Sequence, residues 1–380
     1  VMTPLRSSGR SVPGGTAQAL LRRSLVVGGV ALSIMLMVGA SLMIRTVLAV
    51  GQVGLGFQAD RVLTLRVPLP ERKYPDVARR VLFFEELLPS IASVPGVTAA
   101  AINTNTHPFG NFGWNVEVPG STANNQPVIG HQISADYTKA LGISLVKGRL
   151  FTTEEVKARR QIALVNEAFE RTRLQGADAV GRVVRMPRLT QPPVGLADDR
   201  VEIVGVVHDT LNRGMTDALQ PEIYLPYSLA AMANRVVVQT AGDPSAVTRA
   251  VVERVYAVDR DQPVTDIRTV ESFLNDFIYA GPRFNVVLLS VFAALGLALA
   301  VVGVYGVMAH TVAQQTREIG VRIALGADPG AVARMVVRSG ASLLLMGFGL
   351  GLVGSVFGAR LLARQIWNVS PFDPISFAAA

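Results

Sequence analysis

Phe284–Thr316, FNVVLLSVFAALGLALAVVGVYGVMAHTVAQQT, runs without one Asp, Glu, Lys or Arg, and His310 is its only side chain that ionises near neutral pH. A helix needs about 20 mostly apolar residues to cross about 30 Å of hydrocarbon, and this stretch exceeds that. Ser24–Ile44 and Ser339–Ala359 are also free of charge and long enough. The three stretches make the chain an α-helical membrane protein. The first, preceded by Arg22 and Arg23, is longer than the apolar core of about 7–15 residues in a cleaved leader. No small-x-small cleavage pattern follows it, so it reads as an uncleaved anchor.

Half of the chain's 380 residues are hydrophobic and 17% are charged, against about 25% in soluble domains. The net charge of +8 is not a nucleic-acid footprint. Between Gly51 and Arg283 lie 25 basic and 25 acidic residues, so the excess of 11 basic over 3 acidic falls entirely around the apolar stretches. Arg6, Arg10, Arg22 and Arg23 precede the first, and Arg317, Arg322, Arg334 and Arg338 lie between the second and third. Lys and Arg collect in cytoplasmic loops. The distribution therefore puts the N-terminus and the 317–338 segment inside, and the long middle segment outside. Arg360 and Arg364 run mildly against that bias. Nucleic acid is excluded as a partner, and the lipid bilayer is required. There is no cysteine, so the outer segment folds without disulfides. Its length is ample for a core.

Residues 1–20, rich in Ser, Gly, Pro and Arg, read as a flexible cytoplasmic linker. Residues 21–50, 284–312 and 339–364 are the predicted spans, and 313–338 the inner segment. Residues 371–380, opening on Pro371-Phe372-Asp373-Pro374, read as the start of a fourth span. Within residues 51–283, strand patterns at Arg61–Val67 and Gly96–Ile102 flank a helical one, with Val81, Phe84, Leu87, Leu88 and Ile91 on one face. The β-α-β order recurs at Arg235–Gln239, Ser245–Ala257 and Pro263–Ile267. Residues 51–105 and 226–283 are thus predicted to form an α/β part near the membrane. Residues 106–225 are predicted to form an inserted β-rich part, with Ile162–Val165 and Val201–Val207 its clearest strands.

Recognisable catalytic patterns are missing. No Gly-x4-Gly-Lys-Ser/Thr phosphate loop, His-Glu-x-x-His or Gly-x-Ser-x-Gly occurs, and His107, His131, His208 and His310 are scattered. Gly349-Leu350-Gly351-Leu352-Val353-Gly354 matches a dinucleotide fingerprint but lies inside the third span, where that motif has no strand to follow. Gly347 and Gly351, then Gly354 and Gly358, repeat at the small-xxx-small spacing of packed membrane helices. Gly296, Gly303 and Gly306 offer similar small surfaces on the second span.

The inner segment places Ile319 and Ile323 at helical spacing, with Val321, Ala324 and Leu325 alongside and charge from Arg317, Glu318 and Arg322. Gly326 is a candidate C-cap, and Asp328-Pro329 a turn or a new helix start. On physical grounds alone, a basic helix lying against anionic headgroups fits as well as a docking element.

Thr316-Arg317-Glu318-Ile319-Gly320-Val321-Arg322-Ile323-Ala324-Leu325-Gly326-Ala327 resembles the signature of the MacB/FtsX-like ABC transporter permeases. Tyr305-Gly306-Val307, Pro371-Phe372-Asp373-Pro374, Val165-Asn166-Glu167-Ala168, Gly205-Val206-Val207-His208-Asp209 and Pro221-Glu222-Ile223-Tyr224 are also similar to that family. The resemblance covers nearly everything from Leu20 and is closest to the C-terminal half of the duplicated permeases of acidobacteria. It implies a four-span protein of the bacterial inner membrane, of which this chain would lack the fourth span and the N-terminal half. It also implies a large α+β periplasmic domain between the first two spans. Arg317, Glu318, Ile319, Gly320, Arg322, Leu325 and Gly326 would contact a separate cytoplasmic ABC ATPase subunit. ATP would be bound by that partner, and the chain itself would carry no cofactor and no catalytic or metal site. A second permease half, identical or not, and a periplasmic adaptor are the other partners implied. The expected function is a non-enzymatic permease subunit serving efflux or mechanotransmission. A membrane-anchored periplasmic sensor or scaffold without ATPase coupling is the alternative. A membrane enzyme is disfavoured, since His310 is the only side chain that ionises near neutral pH within the three charge-free stretches.

Overall fold

A computed structural model of the chain describes residues 14–52, 54–104, 113–120, 127–192, 194–212, 219–324, 329–362, 370 and 373–378. Ten α-helices are described: α1 Gly14–Gln52, α2 Val77–Ala92, α3 Tyr137–Ala140, α4 Thr153–Lys157, α5 Glu167–Arg173, α6 Pro244–Val258, α7 Val270–Leu274, α8 Ala280–Ala324, α9 Pro329–Leu362 and α10 Pro374–Ala378. Eleven strands are described: β1 Val62–Arg66, β2 Val97–Asn103, β3 Gly113–Trp114, β4 Val128–Ile133, β5 Leu145–Gly148, β6 Ile162–Asn166, β7 Val183–Arg185, β8 Arg200–Val207, β9 Glu222–Pro226, β10 Arg235–Thr240 and β11 Thr265–Thr269. The chain divides into two compact units, Val53–Tyr279 and the remainder.

The α+β unit holds two sheets. The first has four strands in the order β11-β1-β10-β2, each antiparallel to its neighbours. The two β-α-β runs seen in sequence are therefore not adjacent pairs. Each is split by a strand of the other, so that β10 lies between β1 and β2, and β1 between β10 and β11. This is the interleaved βαββαβ arrangement called ferredoxin-like. Helix α2 begins where Asp76 caps the Arg79 N–H at 2.7 Å. It lays Phe84, Leu87 and Ile91 into the core and packs on β2, while α6 packs on β1, β10 and β11.

The second sheet has the order β3-β4-β9-β6-β8-β5, with β7 also paired to β8. Its β4–β9 and β6–β8 pairs are parallel, and β9–β6 is antiparallel. Side chains of a strand point alternately to the two faces. Ile162 and Leu164 of β6 join one core with the first sheet, whereas Ala163 and Val165 face a second core around Trp114, Phe169 and Val206. The first core runs on through Tyr137, Val207 and Tyr224. The middle segment thus brings its own sheet but shares a core with the first. Burying one of the larger of these side chains is worth about 1.5–3 kcal/mol.

The helical unit is α1, α8, α9 and α10. Among the described residues three helices are long and apolar enough to cross a membrane, over Leu20–Leu48, Arg283–Thr316 and Gly340–Arg360. Helix α1 begins at Gly14, inside the segment that reads as a linker in sequence. Thr16-Ala17-Gln18-Ala19-Leu20-Leu21 explains this, being made mostly of good helix formers. Helix α8 passes from the apolar span into the following charged segment without interruption, since no Gly or Pro intervenes between Val307 and Glu318.

Candidate coupling segment and helix-packing faces

Arg317, Glu318, Ile319, Gly320 and Arg322 occupy the last turns of α8, beyond its apolar span. Gly320 and Val321 are exposed. Leu325 and Gly326 lie outside the described residues. Helix α9 restarts at Pro329, a residue suited to a first helical turn because its missing N–H would have no partner there. Arg334, Val337 and Arg338 on its opening turns are exposed. An uninterrupted helix is stiff, so a push on 317–322 is delivered to the apolar part of the same helix.

What α8 can push on is set by its packing. Helix α1 packs along both α8 and α9, which touch each other much less. Half of α1's apolar stretch is buried, against 11% for α8 and 28% for α9. Close approach is made through glycine. A Cβ on Gly347 would stand 2.7 Å from Val30 Cβ, and one on Gly351 would stand 2.8 Å from Ile34 Cβ and 2.9 Å from the Ala31 carbonyl oxygen. On Gly354 it would meet Met35 Sδ at 2.7 Å, and on Gly358 only the tip of Met35 at 4.0 Å. Gly347, Gly351 and Gly354 thus lie on the α9 face that α1 occupies, with Gly358 at its margin. On α8, Gly296 faces Ser33 Oγ and Gly303 faces Val26, both of α1, while Gly306 faces open space. Gly340 of α9 faces Met308 of α8.

At the other end of α1, Arg45 Nη1 pairs with Asp373 Oδ2. The same carboxylate oxygen accepts from the Ser376 N–H at 2.9 Å and its hydroxyl at 2.8 Å, opening α10. Asp373 comes from the Pro371–Pro374 motif, whose first two residues are not described.

In the α+β unit three sequence motifs converge. Asn166, the last residue of β6, caps α5 by accepting from the Phe169 N–H at 3.0 Å. It also accepts from the Glu222 N–H at 2.8 Å and donates to the Gln220 carbonyl at 2.8 Å. Glu167 Oε2 lies 3.0 Å from His208 Nδ1 and accepts from the Asp209 N–H at 3.3 Å. Burial works to raise the Glu167 pKa, but His208, the Asp209 N–H and Arg171 outweigh it and hold the carboxyl below its ordinary value. Asp209 in turn accepts from the Ala168 N–H at 2.7 Å and from Arg171 at 2.6 Å.

Behind this junction lies a buried polar chain. Glu222 accepts from the Thr210 hydroxyl at 3.0 Å and the Tyr224 hydroxyl at 2.5 Å, and lies 3.3 Å from His131 Nε2. The His131 ring stacks on Tyr224 at 4.8 Å, and its Nδ1 is 3.3 Å from Asn103 Nδ2. Asn212 Nδ2 also stands 3.2 Å from Nε2, so both ring nitrogens of His131 are engaged. Asn103 Nδ2 also donates to the Tyr137 hydroxyl at 2.6 Å. Sequence reading marked the three motifs but not their meeting, and it passed over Asn103 and Tyr137. Buried polar groups stay in a fold when partnered, and this chain joins β2 to β4 and β9.

The family model described as MacB-like periplasmic core domain matches residues 24–256, and that described as FtsX-like permease C-terminal matches residues 290–379. The chain belongs to the MacB/FtsX-like permease family. The permease is 24% identical over 262 residues to the macrolide export ATP-binding/permease protein MacB of Escherichia coli K12, covering 65% of this chain and 38% of that protein. It is 27% identical over 248 residues to MacB 2 of Aeromonas hydrophila, covering 62% of this chain and 36% of that protein. The permease chain thus spans little more than a third of the length of the curated relatives it matches. Among solved structures, the periplasmic region of MacB from Actinobacillus actinomycetemcomitans aligns with 60% of the permease and 97% of its own chain, at 13% identity and TM-score 0.40. The extracellular domain of the noncanonic ABC-type transporter YknZ aligns with 54% and 100%, at 14% identity and TM-score 0.36.

Proposed function

We propose that this chain is the membrane subunit of a MacB/FtsX-type ABC transporter, set in the bacterial inner membrane with its α+β domain in the periplasm. A separate cytoplasmic ATPase subunit docks on Arg317, Glu318, Ile319, Gly320, Arg322, Leu325 and Gly326, and a second permease half completes the assembly. Arg6, Arg10, Arg22 and Arg23 ahead of the first apolar span, and Arg317, Arg322, Arg334 and Arg338 between the second and third, support this orientation, because basic residues collect on the cytoplasmic side. The observation that carries the coupling role is the continuity of α8, in which the charged turns at 317–322 and the apolar span are one rod. ATP-driven closure of the partner moves that rod, and α1 moves with it through the Gly296–Ser33 and Gly303–Val26 contacts. The output is a conformational change in the periplasmic domain, used for efflux or for transmitting force.

The test is co-purification of the cognate ATPase with the full-length permease. Glu318→Arg combined with Ile319→Asp reverses one charge and removes an apolar anchor, and abolishes association. Retained association in a correctly inserted double variant rejects the docking role.

A further inference from the structure

A cleft of about 300 Å3 opens in the α+β unit between α2 and α4. Its walls include Phe84, Leu88, Ala100 and Val156, all apolar. Besides Ser134 and Thr153, the polar groups around them are Glu85 on α2, Asp136 before α3, Lys157 on α4 and Tyr227. Tyr227 is 3% exposed, yet its hydroxyl makes no hydrogen bond among the described residues. Its ring packs edge-on against Phe84 at 6.2 Å. Burial, and then the nearby charge of Glu85, push the phenol pKa up, so the hydroxyl stays protonated and is available to a ligand.

The two carboxylates are equally unengaged. Asp136 precedes α3 without capping it, and neither it nor Glu85 has an ion-pair partner among the described residues. The same holds for Lys157. The α4 end of the rim is therefore cationic and the α2–α3 side anionic, with the negative charge in excess. An unpartnered phenol on an otherwise buried residue, lining an apolar concavity with free charges at its edge, is the kind of polar group with which a small-molecule site is built. The volume is at the lower bound of such sites, which suits a compact ligand.

We propose that this cleft binds a small apolar monoamine, its hydrocarbon body against Phe84, Leu88 and Val156, and its ammonium held by Glu85 and Asp136 beside the Tyr227 hydroxyl. The site lies wholly within the α+β unit and stands independently of ATPase docking, so either can fail without the other.

The test uses the full chain in lipid nanodiscs and three probes with one hydrocarbon cage: adamantylamine, adamantanol and adamantane carboxylate. Calorimetry is expected to show saturable binding of the amine at one site per chain, the alcohol about tenfold weaker and the carboxylate weaker still, as expected for loss of a charged hydrogen bond. Combining Glu85→Gln with Asp136→Asn brings the amine down to the alcohol's affinity and leaves the alcohol unchanged, which also reports that the cleft is intact. Ala92→Trp, at an exposed position on the rim, blocks all three probes with an unaltered melting transition. Equal affinity for the three probes overturns the proposal. So does amine binding that survives the double amide variant, or an equal loss of amine and alcohol in it. Uptake that never saturates and persists in Ala92→Trp is partition into lipid only, and overturns it too.

Discussion

Arg45 of α1 and Asp373 at the start of α10 form an ion pair that joins residues 328 positions apart, and the carboxylate in it simultaneously caps α10 through Ser376. Asp373 is 15% exposed and Arg45 35%, so the pair is only partly open to solvent. Arg45→Glu or Asp373→Arg alone is expected to lower the melting temperature of the full chain in nanodiscs. The double reversal restores part of that loss, short of the wild-type value because an arginine has no acceptor with which to cap α10. A double variant no better than the worse single one would mean the two residues do not interact.

The glycine face of α9 predicts an asymmetric mutational pattern. Gly351→Leu pushes a side chain into Ile34 and the Ala31 carbonyl and is expected to cost about 1–3 kcal/mol, as overpacking does. Gly349→Leu, on the same helix with no neighbour within 4 Å, is expected to be near neutral. Thermal unfolding of both variants in the same lipid separates a packing effect from a general intolerance of bulk in the span.

Asn166 holds three partners from two other segments. Asn166→Ala removes the α5 cap together with the hydrogen bonds that Asn166 makes to the Glu222 N–H and the Gln220 carbonyl. Losing a cap costs about 1 kcal/mol and an unsatisfied buried group about 1–3 kcal/mol. A destabilisation of that order, read by chemical denaturation, is expected, with Asn166→Asp milder because Oδ1 is kept.

Acid is expected to weaken the α+β unit. Asp259 is 9% exposed. Burial favours its neutral form, but Lys73 at 2.5 Å, the Tyr74 hydroxyl at 2.6 Å and the Asp261 N–H at 3.1 Å outweigh that and lower its pKa. Glu155 is lowered as well, chiefly by its hydrogen bonds from Arg149 at 2.7 Å. A depressed carboxylate adds stability that is complete above its unfolded pKa and is lost as pH falls through the folded one. The unfolding midpoint is therefore flat near neutrality and drops below about pH 4, the ordinary carboxylate range. Asp259→Asn flattens that slope. An unchanged slope in this variant would assign the acid sensitivity elsewhere.

Much of the fold is legible in sequence because burial has a period. Val81, Phe84, Leu87 and Ile91 recur at helical spacing and are buried on α2, and Val247, Val251 and Val255 do the same on α6. Period tells which face is covered, not by what. The interleaving of β1, β10, β2 and β11 depends on pairings between residues as distant in the chain as Leu63 and Thr269, and leaves no local trace. Shared burial of Leu164 and Tyr224 with the first sheet is hidden for the same reason. The charged turns after the second span are readable as helix, yet their fusion with the span is not, because a change in composition at Thr316 looks like a boundary. Cleft residues such as Tyr227 and Glu85 carry no motif and become visible only through the partners they lack.

Because Ile162 and Leu164 face one core while Ala163 and Val165 face the other, the segment between β2 and β10 is no exchangeable cassette. Kin that swapped it for a foreign module would expose the inner wall of the neighbouring sheet. Lineages are free to lengthen its outer turns, but the alternate inward positions of β6, β8 and β9 must change in concert with α2 and β10.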